Sequence, residues 1–154
     1  MMAFRYKSNS GLTLLELMIA TAVLVVAIAG LLATFAGLFS LNENTRKLTL
    51  AATACQDKLE EIRNSSFAAL YTLYNNTAFE PDGFSASDAE GTVYIDNTDP
   101  DLLEVAVSVS WRGRSNKIVG EDANLNGALD TGEDTNGDER LSSPAEIVTL
   151  IGQR

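Results

Sequence analysis

Apolar residues near the amino end form one long uncharged run. Residues 17–39 contain neither a charged residue nor a Pro, and a helix of that length spans roughly 34 Å, which is enough to cross a bilayer. Unlike the short core of a secretory signal, the run is not followed by a small-residue cleavage site, so we expect it to persist as an anchor. Arg5 and Lys7 ahead of it favour a cytoplasmic amino terminus and an exported remainder.

The helical pattern continues beyond this run. Apolar residues recur at a spacing of three or four, while charged residues fall largely on the other faces. The apolar positions are Leu48, Ala51, Ala52, Cys55, Leu59 and Ile62. Since no Pro interrupts residues 12–63, we predict one helix over this range, with an apolar part at 12–39. Its amphipathic part, together with a helix stop at 64–66, covers residues 40–66.

The remaining residues show the pattern of a small β-sheet. Residues 67–74 are rich in aromatic and aliphatic side chains and predict a connecting loop or a short helix. Residues 93–95 and 146–151 predict strands, and residues 103–111 alternate apolar and polar side chains as in a half-buried antiparallel strand. We therefore predict an α+β fold, in which residues 67–154 form an antiparallel β-sheet head that packs on the long helix.

Composition excludes several classes of function. The chain has 21 acidic and 11 basic residues and a formal net charge of -10, so we expect no nucleic-acid partner. With no His and one Cys, it has no His-containing triad, no zinc cluster of the usual kinds and no internal disulfide. Cys55 lies on the apolar stripe and is interpreted as a small buried hydrophobic residue. These features predict a structural protein, not an enzyme.

One acidic residue borders the apolar run. Glu16 follows a short basic leader, residues 1–11, which ends in Gly11. Burying its carboxylate in a bilayer would cost roughly 3 kcal/mol unless the carboxylate were paired. The side chain could instead reach the headgroup region, as long polar side chains do near helix ends.

Residues 11–20, Gly-Leu-Thr-Leu-Leu-Glu-Leu-Met-Ile-Ala, resemble with this leader the class III signal of type IV prepilins and type II secretion pseudopilins. The resemblance implies that a membrane prepilin peptidase cuts between Gly11 and Leu12 and methylates the new amine. Leu12 stands where the family more often has Phe. The resemblance also implies that Glu16 of one subunit neutralises the Leu12 amine of another when the helices bundle.

The head carries a second resemblance. Residues 56–63 and a Val-rich strand that ends in Trp111 resemble the PilV group of type IV pilus modification proteins, which are minor pilins. The chain also has no Cys pair at its carboxyl end, which favours a minor subunit. The first hypothesis is therefore a minor pilin that other pilins join to initiate or cap a type IV pilus.

This hypothesis places the protein in the bacterial inner membrane, as a single-pass protein with a periplasmic head, before it enters a pilus. The alternative is a minor pseudopilin of a type II secretion system, which would enter a pseudopilus. A third hypothesis is a membrane-anchored calcium-binding adhesin unrelated to pili. Such a protein would leave Gly11 uncut.

An acidic insertion, residues 121–142, precedes the last predicted strand. Residues 122–133 match the 12-residue calcium-loop template, with Gly127 at the sharp turn and Leu129 available to pack inward. The expected ligands are five side chains and one carbonyl, from Asp122, Asn124, Asn126, Ala128, Asp130 and Glu133. Calcium is the expected cofactor, at one site that orders a surface loop, and a solvated acidic turn is the alternative.

The next residues repeat the template in a degraded form. The matching positions are Asp134, Asn136, Asp138, Leu141 and Ser142. Glu139 stands where the template requires Gly, and Ala145 replaces the last acid. This repeat could form a weaker second site, lend an oxygen to the first, or add negative potential.

Overall fold

The computed structural model describes residues 13–153. The chain divides into two compact units, Met1–Ser40 and Leu41–Arg154. The first helix, α1 (Leu14–Arg63), contributes to both units. In the first unit, every described residue from Thr13 to Phe39 is exposed. Within the described residues, α1 is the one helix long and apolar enough to cross a membrane, by its length and composition.

The second unit contains the remaining part of α1, which buries one face against the head. The buried side chains on this face are Ala51, Ala54, Cys55, Leu59 and Ile62. The helix ends at Arg63, as the helix stop predicted. Leu48 was predicted to lie on the apolar face with these residues, but it is 40% exposed, so this prediction was wrong. Neighbouring residues do contact the head: the Lys47 ammonium donates to the Arg112 carbonyl at 2.8 Å, and the half-buried Leu50 faces Gly83.

The head contains a short helix and a five-stranded antiparallel sheet. The helix α2 (Phe67–Tyr74) occupies the segment that the sequence left open as a loop or a helix. The strands are β1 (Thr77–Phe79), β2 (Ala89–Asp99), β3 (Leu102–Arg112), β4 (Ile118–Val119) and β5 (Ala145–Gly152). The first three pair in chain order, and β4 and β5 both pair with β3. Strands β2, β3 and β5 confirm the three predicted strands.

The core lies between α1 and one face of the sheet. Val105, Val107 and Val109 of β3 are fully buried on this face, with Trp111 3% exposed. The opposite face of β3 is also buried: Ala106, Ser108 and Ser110 are 3–4% exposed. The prediction that β3 is half-buried was therefore wrong. The acidic insertion between β4 and β5 lies against this second face, where the Ser108 hydroxyl donates to the Leu141 carbonyl at 2.5 Å.

Candidate functional site

The processing signal lies mostly ahead of the described residues. Gly11 and Leu12 fall outside them, so the predicted cleavage stays a prediction. Glu16 is in the first turn of α1, where its backbone N–H donates to the Thr13 hydroxyl at 3.3 Å. Thr13 is thus the N-cap of α1, and Thr13 and Glu16 have the spacing of a capping box, a signal that the sequence analysis missed. An acid in the first turn also interacts favourably with the helix dipole.

The acidic insertion is closed at its base by a backbone hydrogen bond. The Glu121 N–H donates to the Ser142 carbonyl at 2.9 Å. This bond joins the two ends of the insertion where β4 and β5 lead away from it. Between these ends are two consecutive loops, which we name the first loop (residues 122–133) and the second loop (residues 134–142).

The first loop folds around two buried carboxylates. Asp122 is 1% exposed and Glu133 is 7% exposed. The Asp122 carboxylate accepts the backbone N–H groups of Asn126 at 3.1 Å and Gly127 at 2.9 Å. Each buried oxygen is therefore turned toward the interior of the loop, where hydrogen-bond donors or a cation can satisfy it.

The other predicted ligands of the first loop converge on the same region. The side-chain amides of Asn124 and Asn126 both donate to Oδ2 of Asp130, at 2.8 and 2.9 Å. Ala128, whose carbonyl was the sixth expected ligand, donates its N–H to Oδ1 of Asn126 at 2.8 Å. The fold thus brings together the five side chains that the template named.

Glu133 closes the first loop by bonding to its beginning and its end. Its two carboxylate oxygens accept the N–H groups of Ala123 at 2.9 Å and Asp130 at 3.0 Å. These donors are the second and ninth residues of the loop. Glu133 therefore holds the position that the calcium-loop template gives to its last acid.

The second loop repeats these contacts twelve residues later. The Asp134 carboxylate accepts the N–H groups of Asp138 at 3.2 Å and Glu139 at 3.1 Å, which correspond to the two donors that Asp122 uses. It also accepts the N–H of Gly137 at 2.6 Å. The Asn136 side chain bonds to Asp138 and Ser142, at 3.0 and 3.1 Å.

The last acid of the second loop comes from the other end of the insertion. Glu121 accepts the N–H groups of Thr135 at 3.0 Å and Ser142 at 2.9 Å, which are again the second and ninth residues of their loop. Ala145, the twelfth residue by sequence, lies buried in β5. Carboxylate oxygens of Glu121, Asp134 and Asp138 lie within 4.8 Å of one another. Glu121 was not among the predicted ligands, although a Glu directly precedes the first Asp of each loop.

Backbone conformation follows the same repeat. Positive φ angles occur at the fourth and sixth residues of each loop: 57° at Leu125, 71° at Gly127, 80° at Gly137 and 61° at Glu139. Glu139 thus adopts the left-handed conformation that the template assigns to Gly, and residues other than Gly, Asn and Asp rarely adopt it because of its steric cost. At Gly127 a Cβ atom would overlap the Ala78 methyl group, so the first loop needs Gly for space as well.

The two loops differ in how they pack their eighth residue. Leu129 was expected to pack inward, but it is 43% exposed. Its counterpart Leu141 is 7% exposed and lies against β3. The eighth residue therefore packs inward in the second loop and not in the first.

Arg140 links the second loop to the sheet. Its Nε lies 3.0 Å from Oδ2 of Asp138, and its Nη1 lies 3.3 Å from Oε1 of Glu104 in β3. Glu146 of β5 is 3.4 Å from the same guanidinium. Burial raises the pKa of Glu146 above its ordinary value; Arg140 lowers it, but Asp138, Glu121 and Glu104 raise it further. The region therefore holds more negative charge than one guanidinium balances.

Hydrogen bonds lower the pKa of two carboxylates of the insertion, Glu121 and Asp138. Burial alone would raise the pKa of Glu121, but the bonds from Thr135 and Ser142 outweigh it and lower the pKa. Burial would also raise the pKa of Asp138, but the hydrogen bonds from Ser142 and Asn136 outweigh this effect and lower the pKa. Ionised carboxylates, amide oxygens and carbonyls are the ligands that hard cations such as Ca²⁺ prefer.

Cys55 has the buried environment that the sequence predicted. Its thiol is fully buried and lies 3.4 Å from the Ala145 carbonyl. Burial, with the nearby Glu146 charge, raises its pKa to about 12. A thiol of this kind is not a nucleophile at neutral pH.

The amino-terminal signal is matched by one family. A family model described as the prokaryotic N-terminal methylation motif matches residues 6–32. None of the curated proteins and none of the solved structures matches the chain. The matched range includes part of the leader, the bond between Gly11 and Leu12, Glu16 and much of the apolar run. This match supports the resemblance of the amino-terminal segment to the signal of type IV pilins and pseudopilins.

Proposed function

We propose that this protein is a minor type IV pilin that is anchored in the inner membrane through α1, cut between Gly11 and Leu12, methylated, and then assembled with other pilins. The observation that carries the proposal is the methylation motif at residues 6–32. The exposed apolar surface of α1 from Leu14 to Phe39 supports it, because such a surface needs either lipid or neighbouring helices around it.

The minor role is supported by the resemblance of residues 56–63 and Trp111 to the PilV group. In the structure Leu59, Ile62 and Trp111 of these motifs belong to one buried cluster. The residues that carry this resemblance thus pack the helix against the head. A minor pseudopilin of type II secretion has the same processing signal and is the second candidate.

Deleting the gene in its host separates the two roles. For a minor pilin, surface pili should fall while exoprotein secretion stays at the parental level, and the full-length gene should restore the pili. Loss of secretion with normal pili would assign the protein to type II secretion. A mature chain that keeps Arg5 and Lys7, measured by intact mass of the membrane fraction, would overturn both roles.

We also propose that the acidic insertion binds calcium, with one ion in each loop. The first loop would use Asp122, Asn124, Asn126, Ala128, Asp130 and Glu133. The second would use Asp134, Asn136 and Asp138, with Glu121 as its last acid. The proposal is supported by the shared contacts of the two loops and by the carboxylates of Glu121, Asp134 and Asp138, which approach within 4.8 Å.

Bound calcium would neutralise carboxylates that otherwise repel one another, and so stabilise the head. By mass action the gain reaches about 2.7 kcal/mol at a hundredfold excess of free calcium over the dissociation constant. Titration calorimetry of the detergent-solubilised full chain should give two ions per chain. Melting the same sample with calcium and with a chelator should give a higher melting temperature with calcium. No heat of binding and equal melting temperatures would leave a solvated acidic turn.

A further inference from the structure

The acidic insertion contains the two Asn-Gly sequences of this chain, Asn126-Gly127 and Asn136-Gly137. Such sequences are open to a reaction within the chain, because Gly has no side chain to keep its nitrogen away from the preceding Asn. The Gly nitrogen bonds to the Asn Cγ and closes a five-membered succinimide. The side-chain nitrogen leaves as ammonia with the proton lost by Gly. Water then opens the ring at either carbonyl and leaves Asp or isoaspartate.

Both sequences share two kinds of local hydrogen bond. Oδ1 of Asn126 accepts the N–H of Ala128 at 2.8 Å, and Oδ1 of Asn136 accepts that of Asp138 at 2.9 Å. A donor at this oxygen polarises the carbonyl that the Gly nitrogen attacks. The Gly N–H in each case donates to the first Asp of the loop, at 2.9 Å for Gly127 and 2.6 Å for Gly137. The leaving nitrogens differ in their partners, since that of Asn126 donates to Asp130 and that of Asn136 donates to Asp138 and Ser142. All of these partners are side chains of the insertion itself.

Packing does distinguish them. Around Gly127, the Ala78 methyl group fills the place where a Cβ would be, and Glu90 Cγ is 3.4 Å from that place. Asp122, which accepts the N–H of Gly127, is 1% exposed. Around Gly137 nothing lies within 4 Å of the equivalent place. Ring closure must move the Gly backbone, so the contact with Ala78 opposes it at Gly127, whereas no packed neighbour occupies the same place at Gly137.

We propose that Asn136 is a site of spontaneous deamidation in the folded chain, and that the packing of Gly127 against β1 protects Asn126. No metal and no enzyme takes part in this chemistry. The product gains a negative charge at the third residue of the second loop. When water opens the ring the other way, isoaspartate adds one carbon to the backbone there.

The experiment is a timed incubation of the full chain in detergent at mildly alkaline pH, with a chelator so that no metal holds either loop. A Glu-specific protease then separates the two Asn residues, because Glu133 lies between them. Mass spectrometry follows the gain of about one mass unit in each peptide. We expect Asn136 to react about tenfold faster than Asn126, which corresponds to a difference of about 1.4 kcal/mol in activation free energy.

Two controls identify the cause. In urea both Asn residues should react at similar rates, because packing is lost and the Asn-Gly sequence is the same. Asn136→Gln should abolish the fast product and leave the rate at Asn126 unchanged. Equal rates in the folded chain, a faster reaction at Asn126, or no reaction at Asn136 while the urea sample reacts would each overturn the proposal.

Discussion

Glu121 and Glu133 make the same pair of backbone contacts in two successive loops. Each carboxylate accepts the N–H of the second and the ninth residue of its loop, at 2.9–3.0 Å. Glu133 follows its loop in the chain, whereas Glu121 precedes both loops. The insertion is therefore a closed unit in which the first acid completes the last loop.

Glu121→Gln should remove one of the two calcium ions that we propose, and Glu133→Gln should remove the other. Each change neutralises one carboxylate of one loop, and we expect the affinity of that loop to fall at least about tenfold. Titration calorimetry of the full chain measures both stoichiometry and affinity. Glu60→Gln, in the exposed face of α1, is the matched control and should change neither. Two ions of unchanged affinity in Glu121→Gln would contradict the role of Glu121.

Glu146→Gln should stabilise the metal-free head at neutral pH. The folded state raises the pKa of Glu146, chiefly by burial, above the ordinary value of 4.5. A raised carboxyl pKa means that ionised Glu146 costs stability, and this cost appears as pH rises through the folded pKa. The gain of the variant should therefore shrink as pH falls and vanish below about 4.5. Denaturant unfolding of both proteins in chelator at several pH values measures it; a gain that is constant with pH would refute the prediction.

Glu16→Gln should be inserted and processed normally but fail to enter filaments. The variant removes the charge that would pair with the Leu12 amine of another subunit, while its backbone N–H still bonds to the Thr13 cap. Thr13→Ala is the matched variant: it weakens the cap by about 1 kcal/mol and keeps the charge. Immunoblots of sheared filaments and of membranes compare the two. Wild-type amounts of Glu16→Gln in filaments would exclude the pairing.

Ile62→Ala should destabilise the head by about 2–5 kcal/mol, because Ile62 is fully buried between α1 and the sheet. Leu48→Ala should change stability by less than about 0.5 kcal/mol, because Leu48 is 40% exposed. Fluorescence of the single, buried Trp111 follows unfolding by denaturant in both variants. Similar losses in the two would mean that Leu48 belongs to the buried face of α1, contrary to the structure.

Local pattern was enough to predict most elements of this protein from its sequence. The uncharged run of α1 and the alternation along β3 extend over many consecutive residues, and such patterns depend on the backbone of one element alone. The helix stop after Arg63 is local as well. The contacts within the first loop are local in the same way, because they join residues of one twelve-residue segment. The methylation motif at residues 6–32 matches the signal identified from Gly11 and Glu16.

Tertiary structure decided which residues meet across the sheet. Glu121 reaches the second loop because β4 and β5 both pair with β3, and this pairing brings the two ends of the insertion together. Ser108 and Ser110 are also buried, although their polar side chains had predicted a solvent-facing side of β3. Periodicity reports the two faces of a strand but not what covers each face, because burial is set by residues distant in the sequence. The contacts of Glu121 with the second loop therefore depend on the tertiary structure, because Glu121 precedes that loop by thirteen residues in the chain.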